Sequence, residues 1–263
     1  MVSNLRVTIL AGAVALALGG PALANTNLDN GTTGDVFINV VDTTNSTSFL
    51  YDTGLSQASF NSTGSYTYTF SSDANYLAFK AAEGGSDVLT YSVLSATTGG
   101  SLFTPTGEML FTSNASVSGQ IGTNIGNALT GVGGFFTQAN LNPSTTTNSS
   151  YLPSATTWGQ TVYEQFVASK LGVPYTTPGT GVDALVGTAL NFYIESSSNT
   201  LDTSNASTSL ATAAYQWNYN NGVATYGPST VPLPTPVLLL LSGLGLMGVV
   251  ARRGKGASGA AAG

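Results

Sequence analysis

Neither cysteine nor histidine occurs anywhere in the 263 residues. Without cysteine there is no disulfide framework, no thiol nucleophile and no thiolate metal site. Without histidine the chain lacks the commonest general base near neutral pH and the commonest metal ligand. Charge is scarce as well. Asp, Glu, Lys and Arg make up 7% of the residues, against roughly a quarter in ordinary soluble proteins, and Ser, Thr, Asn and Gly fill the polar positions instead. The few basic residues sit mostly at the ends, as Arg6 and as Arg252, Arg253 and Lys255. Between residues 25 and 230 only Lys80 and Lys170 stand against all twelve carboxylates, a formal balance of −10. Such a body is repelled by nucleic acid phosphates and by anionic membrane surfaces, which excludes nucleic acid as a partner.

Residues 1–24 read as a secretory signal peptide. Arg6 supplies the positive start, Val7 to Leu18 is apolar, and Gly19-Gly20-Pro21 breaks the helix. Ala22-Leu23-Ala24 is a small-residue cleavage site, so Ala24 and Asn25 flank the expected cut and the Sec translocon and signal peptidase are implied. The apolar run falls short of the roughly 20 residues of a transmembrane helix.

The next stretch reads as β-structure. Asp35 to Tyr51 holds two strands around the polar turn Asp42-Thr43-Thr44-Asn45-Ser46, a β-hairpin, and Asp52-Thr53-Gly54-Leu55 leads into an irregular connection. Ser65 to Phe70 alternates strictly, with Tyr66, Tyr68 and Phe70 on one face. Asn75 to Ala81 and Val88 to Ser95 are expected as strands joined by the Glu83–Asp87 turn, and Met109 to Asn114 as another. Over Gln120 to Asn142 the period changes: Ile121, Ile125, Ala128, Leu129 and Val132 recur at helical spacing, although Gly122, Gly126 and Gly131 weaken the pattern. Residues 143–157 are Ser/Thr-rich with two prolines and read as a surface loop. Gly159 to Leu171 has the clearest helical face, in Val162, Phe166, Val167 and Leu171, and Gly172 and Pro174 end it. Val182 to Leu190 fits a helix or a buried strand, Leu190 to Glu195 is extended, and 196–209 is a second polar loop.

Ala213 to Tyr226 places Tyr215, Trp217 and Tyr219 before Asn220-Asn221-Gly222, then Val223 and Tyr226. Asn-Gly between such residues is a strong hairpin signal. About eight or nine short strands with one or two inserted helices predict a mainly antiparallel β-sandwich over residues 25–230.

The C-terminal stretch is organised differently. Val231-Pro-Leu-Pro-Thr-Pro236 is held extended by its prolines. Val237 to Ala251 is a 15-residue apolar run, short for spanning unless flanking residues extend it but expected as a single C-terminal transmembrane helix before processing, and Arg252-Arg253 follows at once. The positive pair predicts that this end stays cytoplasmic. Taken together, Val231, Pro232, Leu233 and Pro234, the span containing Ser242-Gly243-Leu244, and Arg252 and Arg253 resemble the PEP-CTERM sorting signal in its VPLP-type variant, found on exported Gram-negative proteins. The resemblance implies a membrane exosortase that recognises and removes the tail and delivers the body to the cell surface or extracellular matrix. Gly254 to Gly263 trail the arginines where such chains usually stop, and read as a disordered tail. The body, through Gly34-Asp35-Val36-Phe37, Asp52-Thr53-Gly54 and Tyr68-Thr69-Phe70, also looks like ectodomains carried by this group, which implies a fold and no activity.

Chemistry is sparse in the body. The carboxylates are scattered singly among turn residues, where Asp usually serves local hydrogen bonding, and no enzyme activity is expected. Asp29-Asn30-Gly31-Thr32-Thr33-Gly34-Asp35 offers oxygen ligands at short spacing for calcium, but lacks EF-hand spacing and reads equally well as a turn. Asn30, Asn45, Asn61, Asn114, Asn148 and Asn205 each begin an Asn-x-Ser/Thr acceptor triplet. Tyr215, Trp217, Tyr219 and Tyr226 either pack across strands or stack on sugar rings. The expectation is a surface or matrix protein associated with exopolysaccharide, the alternative a carbohydrate-binding or adhesive module.

Overall fold

Every residue of β1 (Asp35–Asp42) after the first is buried, because the sheet around it is covered on both faces. The structure is a computed structural model that describes residues 34–101, 103, 105–139, 148–153 and 161–228. In chain order β1 is followed by β2 (Thr47–Ser56), β3 (Tyr66–Thr69), α1 (Ala74–Ala82), β4 (Leu89–Gly100), β5 (Pro105–Ser113) and α2 (Gly122–Ala139). Then come β6 (Ser149–Leu152), α3 (Thr161–Lys170), β7 (Ala184–Leu185), β8 (Leu190–Ser197), β9 (Thr208–Asn220) and β10 (Val223–Gly227). The strands form one 10-stranded antiparallel sheet in the order β3-β10-β9-β8-β5-β4-β1-β2-β6, with β7 beside β4.

The mainly antiparallel β class is as expected, but a single continuous sheet stands where two separate sheets were anticipated. It curls strongly. Tyr51 of β2 meets Phe70, just past β3, at 4.7 Å between ring centroids and Tyr68 of β3 at 6.0 Å, although the two strands lie near opposite ends of the order. The concave face encloses an aromatic core of Phe49, Phe70, Tyr76, Phe79, Phe192, Trp217, Tyr219 and Tyr226 around Val36, Ile38 and Val40. On the convex face Phe37, Leu94, Met109, Phe111 and Tyr193 lie under Ile125, Ala128, Leu129 and Val132 of α2 and Val167 and Leu171 near α3. This two-sided burial explains the near-continuous apolar run of β1.

Local chemistry sets the element boundaries. At the first hairpin the Asp42 carboxylate accepts from the backbone N–H groups of Thr44 and Asn45 at 2.9 and 3.0 Å. Asn221 (φ 46°) and Gly222 (φ 78°) make the two-residue turn between β9 and β10, both in the left-handed region that this tight hairpin turn demands. Asp73 caps α1 by accepting from Tyr76 N–H at 3.0 Å. The glycines of α2 are approach points. A Cβ on Gly122 would stand 2.1 Å from Asn199 O, and one on Gly131 2.6 Å from the Phe166 ring.

Several expectations change. Residues 75–81 are not a strand but most of α1. Tyr76 and Phe79 are buried three apart while Leu77 is exposed, a helical spacing that the Tyr76/Ala78/Lys80 alternation disguised. The Glu83–Asp87 turn therefore joins a helix to β4. Asp52 to Leu55 continues β2 through a bulge at Gly54 (φ 66°), where Thr53 Oγ1 donates to Val36 O at 2.6 Å. The 143–157 loop contains the buried edge strand β6, with 154–160 outside the described residues. Val182 to Leu190 holds only the two residues of β7 and a turn at Gly187. β8 and β9 extend inward from both ends of the 196–209 loop, leaving a 3-10 turn at Asn205–Ser207.

Candidate functional site

The expected processing positions, Ala24 and Asn25 after the expected leader and Val231, Pro232, Leu233, Pro234, Arg252 and Arg253 in the tail, all lie outside the described residues, as do the apolar run 237–251 and the residues 254–263. Among the described residues no helix is long and apolar enough to cross a membrane. Of the calcium-type stretch only Gly34 and Asp35 are described. Among the described residues no cluster of three or more Asp or Glu is placed to hold a metal.

The aromatic group near the C-terminus is core. Trp217, Tyr219 and Tyr226 are buried, Tyr215 is half-buried, and Trp217 packs against Tyr226 at 5.3 Å and Phe192 at 6.0 Å. Cross-strand packing therefore accounts for these rings. Burial holds the Tyr219 and Tyr91 hydroxyls far above the usual phenol range and pushes Tyr68 up to about 12. At the rim of this core a groove of about 500 Å³ is lined by Tyr76, Lys80, Leu89, Val186, Tyr219, Asn220 and Asn221. Its polar side carries the Lys80–Glu83 ion pair and the Tyr219 hydroxyl, which donates to Tyr76 Oη at 3.2 Å.

Most described carboxylates serve nearby donors, many of them backbone N–H groups. Besides Asp42 and Asp73, Asp52 accepts from Gly54 N–H at 2.8 Å and Asp183 from Gly179 N–H at 2.7 Å. Asp202 is held low by the Ser204 hydroxyl and N–H. Asp42 and Asp87 share the Asn45 amide nitrogen at 2.8 and 2.6 Å. Glu195 differs. It lies fully buried on β8, with Oε1 accepting from Gln120 N–H just before α2 at 2.5 Å, while Oε2 is buried without a hydrogen-bond partner among the described residues. Burial pushes its carboxyl up, against the pull of that one N–H. The sequence carried a faint signal for it, a lone acid inside the strand Asn191-Phe-Tyr-Ile-Glu-Ser.

The acceptor triplets are not equivalent. Asn45 spends its amide on Asp42 and Asp87, Asn114 donates to Gly179 O at 2.7 Å, and Asn148 is buried. Asn61 and Asn205 are exposed, and Asn30 lies outside the described residues. The chain matches no protein-family model, no curated protein and no solved structure.

Proposed function

We propose that this chain is an exported, non-enzymatic protein of the cell surface or extracellular matrix, sorted by an exosortase through its C-terminal signal. One observation carries the reading: a Pro-rich motif at Val231–Pro234, a 15-residue apolar run and the Arg252-Arg253 pair follow each other directly, in a chain whose first 24 residues read as a cleavable leader. The leader takes the chain through the inner membrane, and the short apolar run stops it there. The extended Val231–Pro236 segment, unable to form helix, enters the groove of the processing enzyme. The body left behind is a sandwich-like curled sheet that meets polysaccharide through Ser, Thr and Asn rather than through charge. Replacing Pro232 and Pro234 with alanine tests this: full-length protein should accumulate in the inner membrane, and normal surface delivery of the variant would refute it.

A second reading, a carbohydrate-binding or adhesive module, is favoured by the groove beside Tyr76 and Tyr219. Its mixed lining of tyrosine hydroxyls, amides and one ion pair suits sugar hydroxyls, and its volume falls within the range of about 300–1,000 Å³ typical of ligand pockets. Saturable glycan-array binding that is lost in Lys80→Ala/Asn220→Ala favours this module; a blank array favours the structural role.

A further inference from the structure

β9 is far longer than the strand that follows it. β8 accompanies it from Trp217, opposite Leu190, down to Thr208, opposite Ser197, but β10 covers only Gln216 to Asn220. Along the other flank from Thr208 to Ala214 no strand is paired, and among the described residues no backbone group bonds there. The ladder decides which residues turn outward. Asn220 and Val223 flank the two-residue turn and exchange both bonds, so even-numbered residues of β9 face odd-numbered residues of β10. Even-numbered residues of β10 face β3 instead: Phe70 N–H donates to Gly222 O at 2.8 Å, while Thr67 and Thr69 of β3 turn outward. Just before β9, Ser198 N–H donates to Ser207 O at 2.8 Å, so odd-numbered residues bond toward β8 in this half too. The alternation survives because β8 skips an even number of β9 residues at the bulge between Thr212 and Gln216. Thr208, Leu210, Thr212 and Ala214 therefore present N–H and C=O on a flank that carries neither charge nor proline.

The residues after β10 match that flank by position. Gly227 pairs with Gln216, and the sequence continues Pro228-Ser-Thr-Val-Pro-Leu-Pro-Thr-Pro236, of which 229–236 lie outside the described residues. Every proline in it is even-numbered. Continued antiparallel to β9, each would sit where its missing N–H points away from the sheet, the placement that an edge strand tolerates. The odd-numbered Ser229, Val231, Leu233 and Thr235 keep the N–H groups that the ladder requires, and Ser229 to Thr235 is as long as Ala214 to Thr208. Leu233 then faces Leu210, or Val231 does if the added strand skips the bulge as β8 does. Leu210 already packs against the cluster under α2, so either residue extends an existing apolar contact.

We propose that residues 229–235 continue β10 and pair with the free flank of β9, with the prolines as the finished outer edge of the sheet. The occupant is this segment because β10 already delivers it to the flank in the right direction and register. The consequence for processing rests on the sorting reading: while paired, Val231–Pro234 is a strand of the body and has to peel away before a processing enzyme can take it as an extended segment. The body thereby regulates access to its own signal.

The unprocessed full chain, which has no cysteine, supplies the test. Amide exchange at Leu210 and Thr212 should be many-fold slower than in the 203–206 loop. Val231→Pro/Leu233→Pro removes the bonding N–H groups and should return both amides to the loop's rate. Pro232→Ala/Pro234→Ala should keep the protection whatever it does to surface delivery, which tells failure of the pairing from failure of the sorting reading. Leu210→Cys combined with Leu233→Cys or with Val231→Cys should close a disulfide within one chain on mild oxidation. The yield should exceed many-fold that of Ser209→Cys/Leu233→Cys, whose side chains would lie on opposite faces. Fast exchange at Leu210 and Thr212 in the parent, protection that survives the added prolines, disulfides that ignore the face, or disulfides formed only between chains would each overturn the proposal.

Discussion

Glu195→Gln should stabilise this protein at neutral pH and leave it unchanged in acid. The carboxyl is fully buried, holds one N–H from Gln120, and leaves Oε2 without a partner among the described residues. Stripping water from a carboxylate costs several kcal/mol even after relaxation. One charge-assisted hydrogen bond returns about 1.5–3 kcal/mol, and the start of α2 adds at most about 1 kcal/mol. Burial wins, and the folded carboxyl titrates above its ordinary value. The sign follows. The folded chain binds this proton more tightly than the unfolded chain, whose glutamate titrates near 4.3. The penalty is thus absent below about pH 4, grows as pH rises from the unfolded to the folded value, and is constant above. Glutamine keeps the acceptor for Gln120 and removes the charge, so the gain at pH 7–8 should be on the order of 2 kcal/mol. That corresponds to roughly 4–8 °C in melting temperature for a domain of this size. Urea unfolding of both proteins from pH 4 to 8 isolates the effect as a difference curve, which cancels the other buried acids. A flat difference, or a glutamine variant losing ground as pH rises, would refute the reasoning.

Gly122→Ala tests the approach of α2 to the 199–202 loop. Helix propensity alone favours alanine by about 1 kcal/mol, but its Cβ would meet the backbone oxygen of Asn199 at 2.1 Å, so a loss of about 1–3 kcal/mol is expected in denaturant unfolding. Gly85→Ala, with nothing within 4 Å of the added carbon, should be close to neutral. Asp73→Ala removes the cap of α1 and the acceptor of the Ser149 hydroxyl, and should cost about 1–2 kcal/mol; an unchanged midpoint would mean that the cap does not hold the helix.

Where the sequence was legible, one local signal settled the matter. Asn221-Gly222 specified its own turn. Tyr66, Tyr68 and Phe70 shared a face, and Ile125, Ala128, Leu129 and Val132 marked the buried side of α2. Misreadings arose where tertiary context decided. Residues 75–81 fit alternation almost as well as a helix, and Asp73 as N-cap was the missed cue. β6 hid beside a Ser/Thr run because an edge strand of only four residues needs little more than a partner, β2, to form. Strand order, which turns Thr67 and Thr69 into an open edge, is a long-range property that no window of sequence displays. The proposed sorting motif is the reverse case, plain as a string of residues and outside the described ones.

The scarcity of surface charge gives edge capping its importance, and Asn75 tests that link. A sheet with few lysines to repel intruders relies on side chains that occupy its outward backbone groups, and Asn75 Nδ2 does this for Ser149 O at β6. Asn75→Ala removes that donor at a cost of about 1 kcal/mol, partly offset by alanine's better helix propensity, so the fold should persist. With both sheet ends open, β3 of one copy can pair with β6 of the next. That contact is heterologous and does not close on itself. The variant should therefore sediment as species larger than the parent, increasingly so with concentration, and adding Thr67→Lys/Thr69→Lys should return it to the parent's mass. If Asn75→Ala sediments as the parent does, the Ser149 carbonyl is not what closes that end of the sheet.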